Sequence, residues 1–271
     1  MKTVRDILVI DDEPVVLQGV ERIGRSEGLS VDPADGGRAG LARLEKHAYR
    51  LILCDLMMED LDGFEFLAEA GRRGNHTPVV MTTGYSTVEN AVRSLQLGAL
   101  DYLAKPFTAD ELMAMIHRGL NVCALPNGSM ALPIRAPPFS QTHRLGRVSW
   151  AALEPVGTVL VGIDDQFVRT LHGIQGIELL SVGTGLVQGT ACATVVSAAG
   201  FSHGVLCPVN GQVIETNAGV TANPATIAKD PYGAGWLYRV LPSNLEYSFR
   251  CLAQGLDAPD QQPEQRKGKS S

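Results

Sequence analysis

Before residue 124 the apolar positions fall in short, unbroken runs. Ile7–Ile10 (ILVI), Leu51–Cys54 (LILC), Val79–Thr82 (VVMT) and Leu100–Ala104 (LDYLA) show no polar alternation. That is the pattern of strands buried on both faces of a parallel sheet. Between the runs the period changes to that of a helix. Val16, Val20 and Ile23 share one face, and Leu112, Met115, Ile116 and Leu120 line one stripe. Ser86–Glu89 (STVE) and Thr108–Glu111 (TADE) have the capping-box spacing, so each predicts the start of a helix. Strand–helix alternation of this kind predicts a doubly wound α/β domain.

The pattern stops near Cys123. Ala124–Thr142 (ALPNGSMALPIRAPPFSQT) holds four prolines and no periodicity, which predicts a semi-rigid linker. Beyond it Gly, Val and Thr become frequent. Short apolar runs (TVLVGI, IELLSVG, ATVVSAAG, GVLCPVNGQVIETN, GWLYRVLP) are divided by turn residues. Such spacing predicts an all-β barrel or sandwich. The final stretch, AQGLDAPDQQPEQRKGKSS, is polar and aperiodic and is expected to be a disordered tail. The expected division is 1–122, a linker over 123–142, 143–252, and a tail over 253–271.

Composition narrows the function classes. The chain has 271 residues and a formal net charge of -6. The asymmetry is internal: 13 Lys/Arg face 19 Asp/Glu up to residue 124, and 10 face 10 after it. Neither half has the basic footprint of a nucleic-acid binder, and no basic helix–turn–helix pattern is present, which argues against a transcription factor. No apolar run approaches the ~18 residues of a membrane span, and MKTVRDILVIDDE is too short and acidic for a signal peptide, so the expected location is cytoplasmic. Five cysteines (Cys54, Cys123, Cys192, Cys207, Cys251) are scattered without a C-x-x-C pair, as reduced thiols would be.

The candidate chemistry lies at strand ends. Asp11 and Asp12 follow the first strand, Asp55 the third, Thr83 the fourth and Lys105 the fifth. In a parallel sheet all these ends open on one edge. The fold would gather three carboxylates, a hydroxyl and an ammonium. Crowded carboxylates repel, and a hard cation such as Mg2+ relieves that cost while taking phosphate oxygens as well. Singly each piece has an ordinary reading; Asp12, for example, would serve as a helix N-cap before Glu13-Pro14. Together at matching strand ends they point to phosphoryl chemistry.

ILVIDDEP, LILCDLMMEDLDGFEFL, VVMTTGYS and DYLAKPF resemble, in order and spacing, the motifs of the response-regulator receiver domain. The resemblance covers residues 1 to about 122 and implies a five-stranded, flavodoxin-like sheet. It implies Asp55 as phosphoacceptor, and Asp11, Asp12 and Asp55 with the Met57 backbone carbonyl as Mg2+ ligands. Thr83 would be the switch hydroxyl, Lys105 the phosphate-contacting lysine and Tyr102 the rotating aromatic. Glu59 stands where the family usually has proline, which should change loop stiffness or dephosphorylation rate. A sensor histidine kinase is the implied partner, and a homodimer through the receiver stays open.

Residues 143 to about 252 resemble the H protein of the glycine cleavage system, through VSWAALEPVGTVLVGIDDQFVRTL, IQGIELLSVGTGLVQGT, CPVNGQVIETN and above all DPYGAGWLYRV. The resemblance implies a flattened β-barrel, a barrel-sandwich hybrid, with lipoate on a lysine at a hairpin tip. Aligning Pro208–Gly211 (PVNG) on the family's turn puts Gly200 at the lysine position and Ser197 at that of a recognition glutamate. Val195–Gly211 contains no lysine at all, and the nearest, Lys229, lies in the AKDPYG loop. No lipoate is therefore expected. His203 and Cys207 lack a nearby base or oxyanion partner and are not read as replacement nucleophiles. The reading is a two-component response regulator, not an enzyme in its own right, whose barrel binds an unidentified protein. The alternatives are a regulator or decoy of lipoate- or glycine-metabolism enzymes, and a phosphate sink with an inert barrel.

Overall fold

The structure is a computed structural model that describes residues 2–84, 87–124 and 142–254. The first half alternates β1 (Thr3–Asp11), α1 (Pro14–Ser26), β2 (Val31–Asp35), α2 (Gly37–Lys46), β3 (His47–Asp55), α3 (Gly63–Arg72), β4 (Val79–Thr83), α4 (Val88–Gln96), β5 (Asp101–Ala104) and α5 (Ala109–Ala124). The sheet is parallel with order β2-β1-β3-β4-β5. The runs in β1, β3 and β4 are buried residue after residue, so they are covered on both faces; the fourth, in edge strand β5, is not, with Tyr102 half-buried and Ala104 exposed.

Two local details differ from the expectation. β2 (VDPAD) has no apolar run. It is an edge strand, where a proline is tolerated, and it is anchored by Asp32, which accepts from Arg5 at 2.9 Å and from the Tyr49 hydroxyl at 2.7 Å. α4 begins at Val88, with Thr87 as N-cap accepting from the Asn90 amide at 3.2 Å; Ser86 lies outside the described residues. The second capping box forms as read, with Thr108 and Glu111 bonded reciprocally.

The second half contains β6 (Thr142–Leu145), β7 (Ser149–Leu153), β8 (Val159–Ile163), α6 (Asp165–Thr170), β9 (Ile174–Leu179), β10 (Gly185–Leu186), β11 (Ala191–Ser197), β12 (Ser202–Leu206), β13 (Gly211–Thr216), α7 (Ala218–Ala222), α8 (Ala225–Lys229), β14 (Trp236–Pro242), α9 (Leu245–Arg250) and β15 (Ala253–Gln254). Two antiparallel sheets, β10-β13-β14-β8-β7-β6-β15 and β12-β11-β9, enclose one core. Four short helices accompany the strands, which the all-β pattern did not announce. The DPYGAGW segment is structural. It delivers Tyr232 to Asp164 at 3.1 Å and accepts the Trp150 indole N–H at the Pro231 carbonyl, while Asn217 clamps the Ala234 and Trp236 carbonyls.

The expected boundaries shift slightly. α5 runs to Ala124, β6 starts at Thr142, and Ala253–Gln254 pairs with β6 instead of opening a tail. The rest of the expected linker and tail, 125–141 and 255–271, lies outside the described residues.

The two halves pack together. α4 lies against β6, and α5 against β12 and α6. Val92 and Leu95 of α4 belong to the barrel's apolar core, and Phe201 of the barrel packs on the receiver's.

Candidate functional site

β1, β3, β4 and β5 end on the same edge and carry Asp11, Asp55, Thr83 and Lys105 there. Carboxylate oxygens of Asp11, Asp12 and Asp55 lie within 4.8 Å of one another. Asp11 and Asp55 are buried and Asp12 is not. The Lys105 Nζ sits 2.8 Å from Asp11 Oδ2 and 3.0 Å from Asp55 Oδ1. Burial raises the pKa of both carboxylates, and Lys105 opposes the shift without cancelling it. Burial alone would lower the lysine, but its two anionic neighbours outweigh that and hold it above the usual range.

Asp11 Oδ2 and Asp55 Oδ1 are buried yet accept no well-formed hydrogen bond. Two clustered oxygens with spare acceptor capacity, beside a third carboxylate open to solvent, fit a hard divalent cation. The Met57 amide donates to Asp55 Oδ2 at 3.0 Å, which sets that backbone beside the Asp55 carboxylate. Thr83 is fully buried, and its carbonyl accepts from the Lys105 amide at 2.8 Å, tying two site residues through the backbone. Tyr102 keeps a buried hydroxyl without a hydrogen-bond partner, and burial followed by the charge of Asp55 pushes its pKa up to about 12.

Asp12 does not cap α1. Glu13 occupies that position, with its amide bonded to Asp11 Oδ1 at 3.0 Å and its own carboxylate 3.1 Å from Lys105 Nζ. Glu13 is thus a further acidic contact that strand-end reasoning missed. Asp60 was missed too. It accepts from the amides of Gly37 and Arg38 at 2.9 and 3.0 Å, filling the uncapped N-terminus of α2 and pinning the loop that carries Glu59. A helix opening on Gly36-Gly37 without a capping side chain was the available signal.

In the barrel, β11 and β12 form the hairpin, and Gly200 lies at its exposed tip with φ +85°. A Cβ there would meet nothing within 4 Å, so conformation and not space favours glycine. Ser197 is buried, and its hydroxyl and amide close the turn onto Phe201. Cys207 and His203 are buried as well. The imidazole of His203 faces Arg118 and His117 of α5 and the Phe167 ring of α6. Burial first, then the electrostatic influence of Arg118 and His117, pushes its pKa down to about 4. The unfolded chain, near 6.5, therefore binds a proton that the folded one refuses. Relative to His203→Gln, the wild type should lose thermal stability as pH falls from 6.5 toward 4 and match its neutral difference above 7. A pH-independent difference in melting temperature would show that His203 is not held neutral.

A five-stranded doubly wound sheet with an acidic edge defines a CheY-like receiver, and the antiparallel sheets match the barrel-sandwich fold of an H protein. Residues 7–117 match the family model for the response regulator receiver domain, and 139–261 that for the glycine cleavage H-protein. The chain therefore carries a response regulator receiver domain followed by a glycine cleavage H-protein domain.

Among curated relatives, the transcriptional regulatory protein ZraR of Escherichia coli (strain K12) is 38% identical over 115 residues, 42% of this chain and 26% of that protein. The cell cycle response regulator CtrA of Brucella ovis is 36% identical over 111 residues, 41% of this chain and 48% of that one. The chain thus spans about a quarter to a half of these relatives' length. Solved structures include a receiver domain from Methanospirillum hungatei (33% identity, TM-score 0.42, 44% of this chain, 95% of that one). A glycine cleavage H protein from Mycobacterium marinum also matches (34% identity, TM-score 0.36, 39% and 86%).

Proposed function

We propose that this chain is a cytoplasmic two-component response regulator, phosphorylated on Asp55 by a sensor histidine kinase and signalling through a non-lipoylated H-protein-like domain that binds another protein. The observation that carries the reading is the cluster of Asp11, Asp12 and Asp55, with Lys105 against Asp11 and Asp55. The Asp55 carboxylate attacks the phosphorus of a phosphohistidine, the P–N bond breaks, and the imidazole leaves with the bonding pair. Asp11, Asp12, Asp55 and the Met57 carbonyl would hold Mg2+, which supplies charge neutralisation for the incoming phosphoryl oxygens. Lys105 exchanges its contact with Asp55 for one with the phosphoryl group. The added charge draws Thr83 toward it, and the Tyr102 phenol fills the space given up. The chain acts as a signalling protein; its chemistry is confined to its own phosphoryl group.

The test is incubation of the full chain with a small phosphodonor such as acetyl phosphate. One phosphoryl group per chain is expected with Mg2+ and none with chelator. Equal incorporation in both conditions would remove the metal-assisted acceptor.

Lipoylation needs an amine on the hairpin, and Val195–Gly211 has none. Intact mass of protein from a lipoate-replete host should be that of the bare chain; a single lipoyl addition at Lys229 or any other lysine would overturn this. Gly200→Lys has room for its side chain but must adopt φ +85°, so a loss of about 1 kcal/mol in barrel stability is expected.

A further inference from the structure

Between α5, the end of α6 and the β11–β12 hairpin lies a small cavity of about 130 Å3. Its two ends differ. His172 and Ala199 are exposed at its mouth, whereas Arg118 and His203 are each 2% exposed and form its buried end. Phe201 makes one wall by stacking on His117 of α5 with ring centroids 4.6 Å apart. Asn121 reaches from α5 to donate to the Thr170 carbonyl at 2.9 Å. The Arg118 guanidinium lies 4.4 Å over the Phe167 ring of α6. Folded interiors close-pack, so a space of this size with polar walls calls for a filling.

The polar groups around it are unevenly satisfied. The Thr170 hydroxyl donates to the Phe167 carbonyl, and the Ser197 hydroxyl is tied to the Phe201 backbone. Two buried nitrogens are left over. Arg118 engages Asp101 through Nη1 and the Leu100 carbonyl through Nη2, but its Nε has no partner. His203 Nδ1 has none either. These side chains come from α5 and β12, and both line the one cavity. A buried polar group without a partner is costly, so a ligand that supplies the missing bonds is strongly favoured over leaving them unmade.

The chemistry of the lining selects that ligand. An arginine Nε only donates, so the group it meets must accept. None of the lining residues is acidic, and the ionisable ones are one arginine and three histidines. The space corresponds to roughly four water molecules, well short of a pocket for a nucleotide or another molecule of that size. A compact oxyanion meets all three conditions.

We propose that this cavity binds a small oxyanion, phosphate-like or a short carboxylate, with Arg118 Nε and His203 Nδ1 donating to its oxygens and His172 at the entrance. The anion selects the imidazole form that carries a proton on Nδ1. Its two donors belong to different domains, so the bound anion bridges receiver and barrel. The site is separate from the carboxylates beside Lys105 and does not depend on phosphorylation of Asp55.

The six histidines of the chain report on the site. The full chain, isotopically labelled on its histidine ring nitrogens, is titrated with sulfate, phosphate and acetate at constant ionic strength. EDTA is present so that no metal-held anion forms at the receiver's carboxylates. The ring resonances of His117, His172 and His203 should move saturably, with half-saturation below about 10 mM, while those of His47, His76 and His143 stay in place. Saturation with sulfate and phosphate supports a tetrahedral anion, and saturation with acetate alone supports a carboxylate. His203→Leu removes one donor and should weaken the response of His117 and His172 roughly tenfold. Ala199→Asp sets a carboxylate at the exposed mouth, where the fold tolerates it, and should weaken binding about fivefold. Movement of all six rings in proportion to concentration would mean an adventitious ion only and overturns the site. Absence of movement at the three cavity histidines overturns it too, as does an Ala199→Asp variant that binds as tightly as the wild type.

Discussion

Asp55→Asn should take up no phosphoryl group from acetyl phosphate or from a phosphorylated kinase, at any Mg2+ concentration. The substitution keeps the size of the side chain and its place beside Lys105, but an amide is no nucleophile. The remaining site supplies no substitute. Asp12→Ala should lose the incorporation that Mg2+ supports, because a ligand is gone although the nucleophile stays. Undiminished incorporation in Asp55→Asn would assign the acceptor elsewhere on the chain.

Asp101→Ala should destabilise the receiver by about 3–5 kcal/mol, the usual cost of stripping one partner from a buried ion pair. Asp101 and Arg118 are each 2% exposed. Burial raises the aspartate and lowers the arginine despite their mutual attraction, so each charge depends on the other. Removing Asp101 leaves Arg118 with the Leu100 carbonyl and the face of Phe167. The double variant Asp101→Asn, Arg118→Met should recover part of the loss, since no uncompensated charge then remains buried. Denaturant unfolding measures both. A single variant within 1 kcal/mol of wild type would mean that the pair is hydrated in solution. Arg118 also covers the barrel, so the single variant should loosen the domain contact as well.

The interface and the acceptor site use β5 in different ways. Its end delivers Lys105 to the carboxylates, its middle holds Tyr102, and its start holds Asp101.

Much of this protein was legible along the chain. Apolar runs marked four strands because a strand covered by packing helices carries few polar positions. Thr108 and Glu111 announced α5 because a capping box is a local bond pattern. Asp11, Asp12, Asp55, Thr83 and Lys105 could be placed together because a parallel sheet sends every strand end to one edge. The missing hairpin lysine needed only the letters from Val195 to Gly211. What the sequence left hidden depends on contacts between residues far apart. β2 is held by Asp32 with Arg5 and Tyr49, and its own composition reads as a turn. Asp60 caps a helix from 23 residues away. The Asp101–Arg118 pair is invisible in sequence because two charged residues on separate elements look solvent-exposed until packing removes the water. The seating of Phe201 on His117 is of the same kind: one aromatic in a turn and one histidine on a helix carry no periodic mark. Only the tertiary structure, by closing the barrel over α4 and α5, turned them into neighbours.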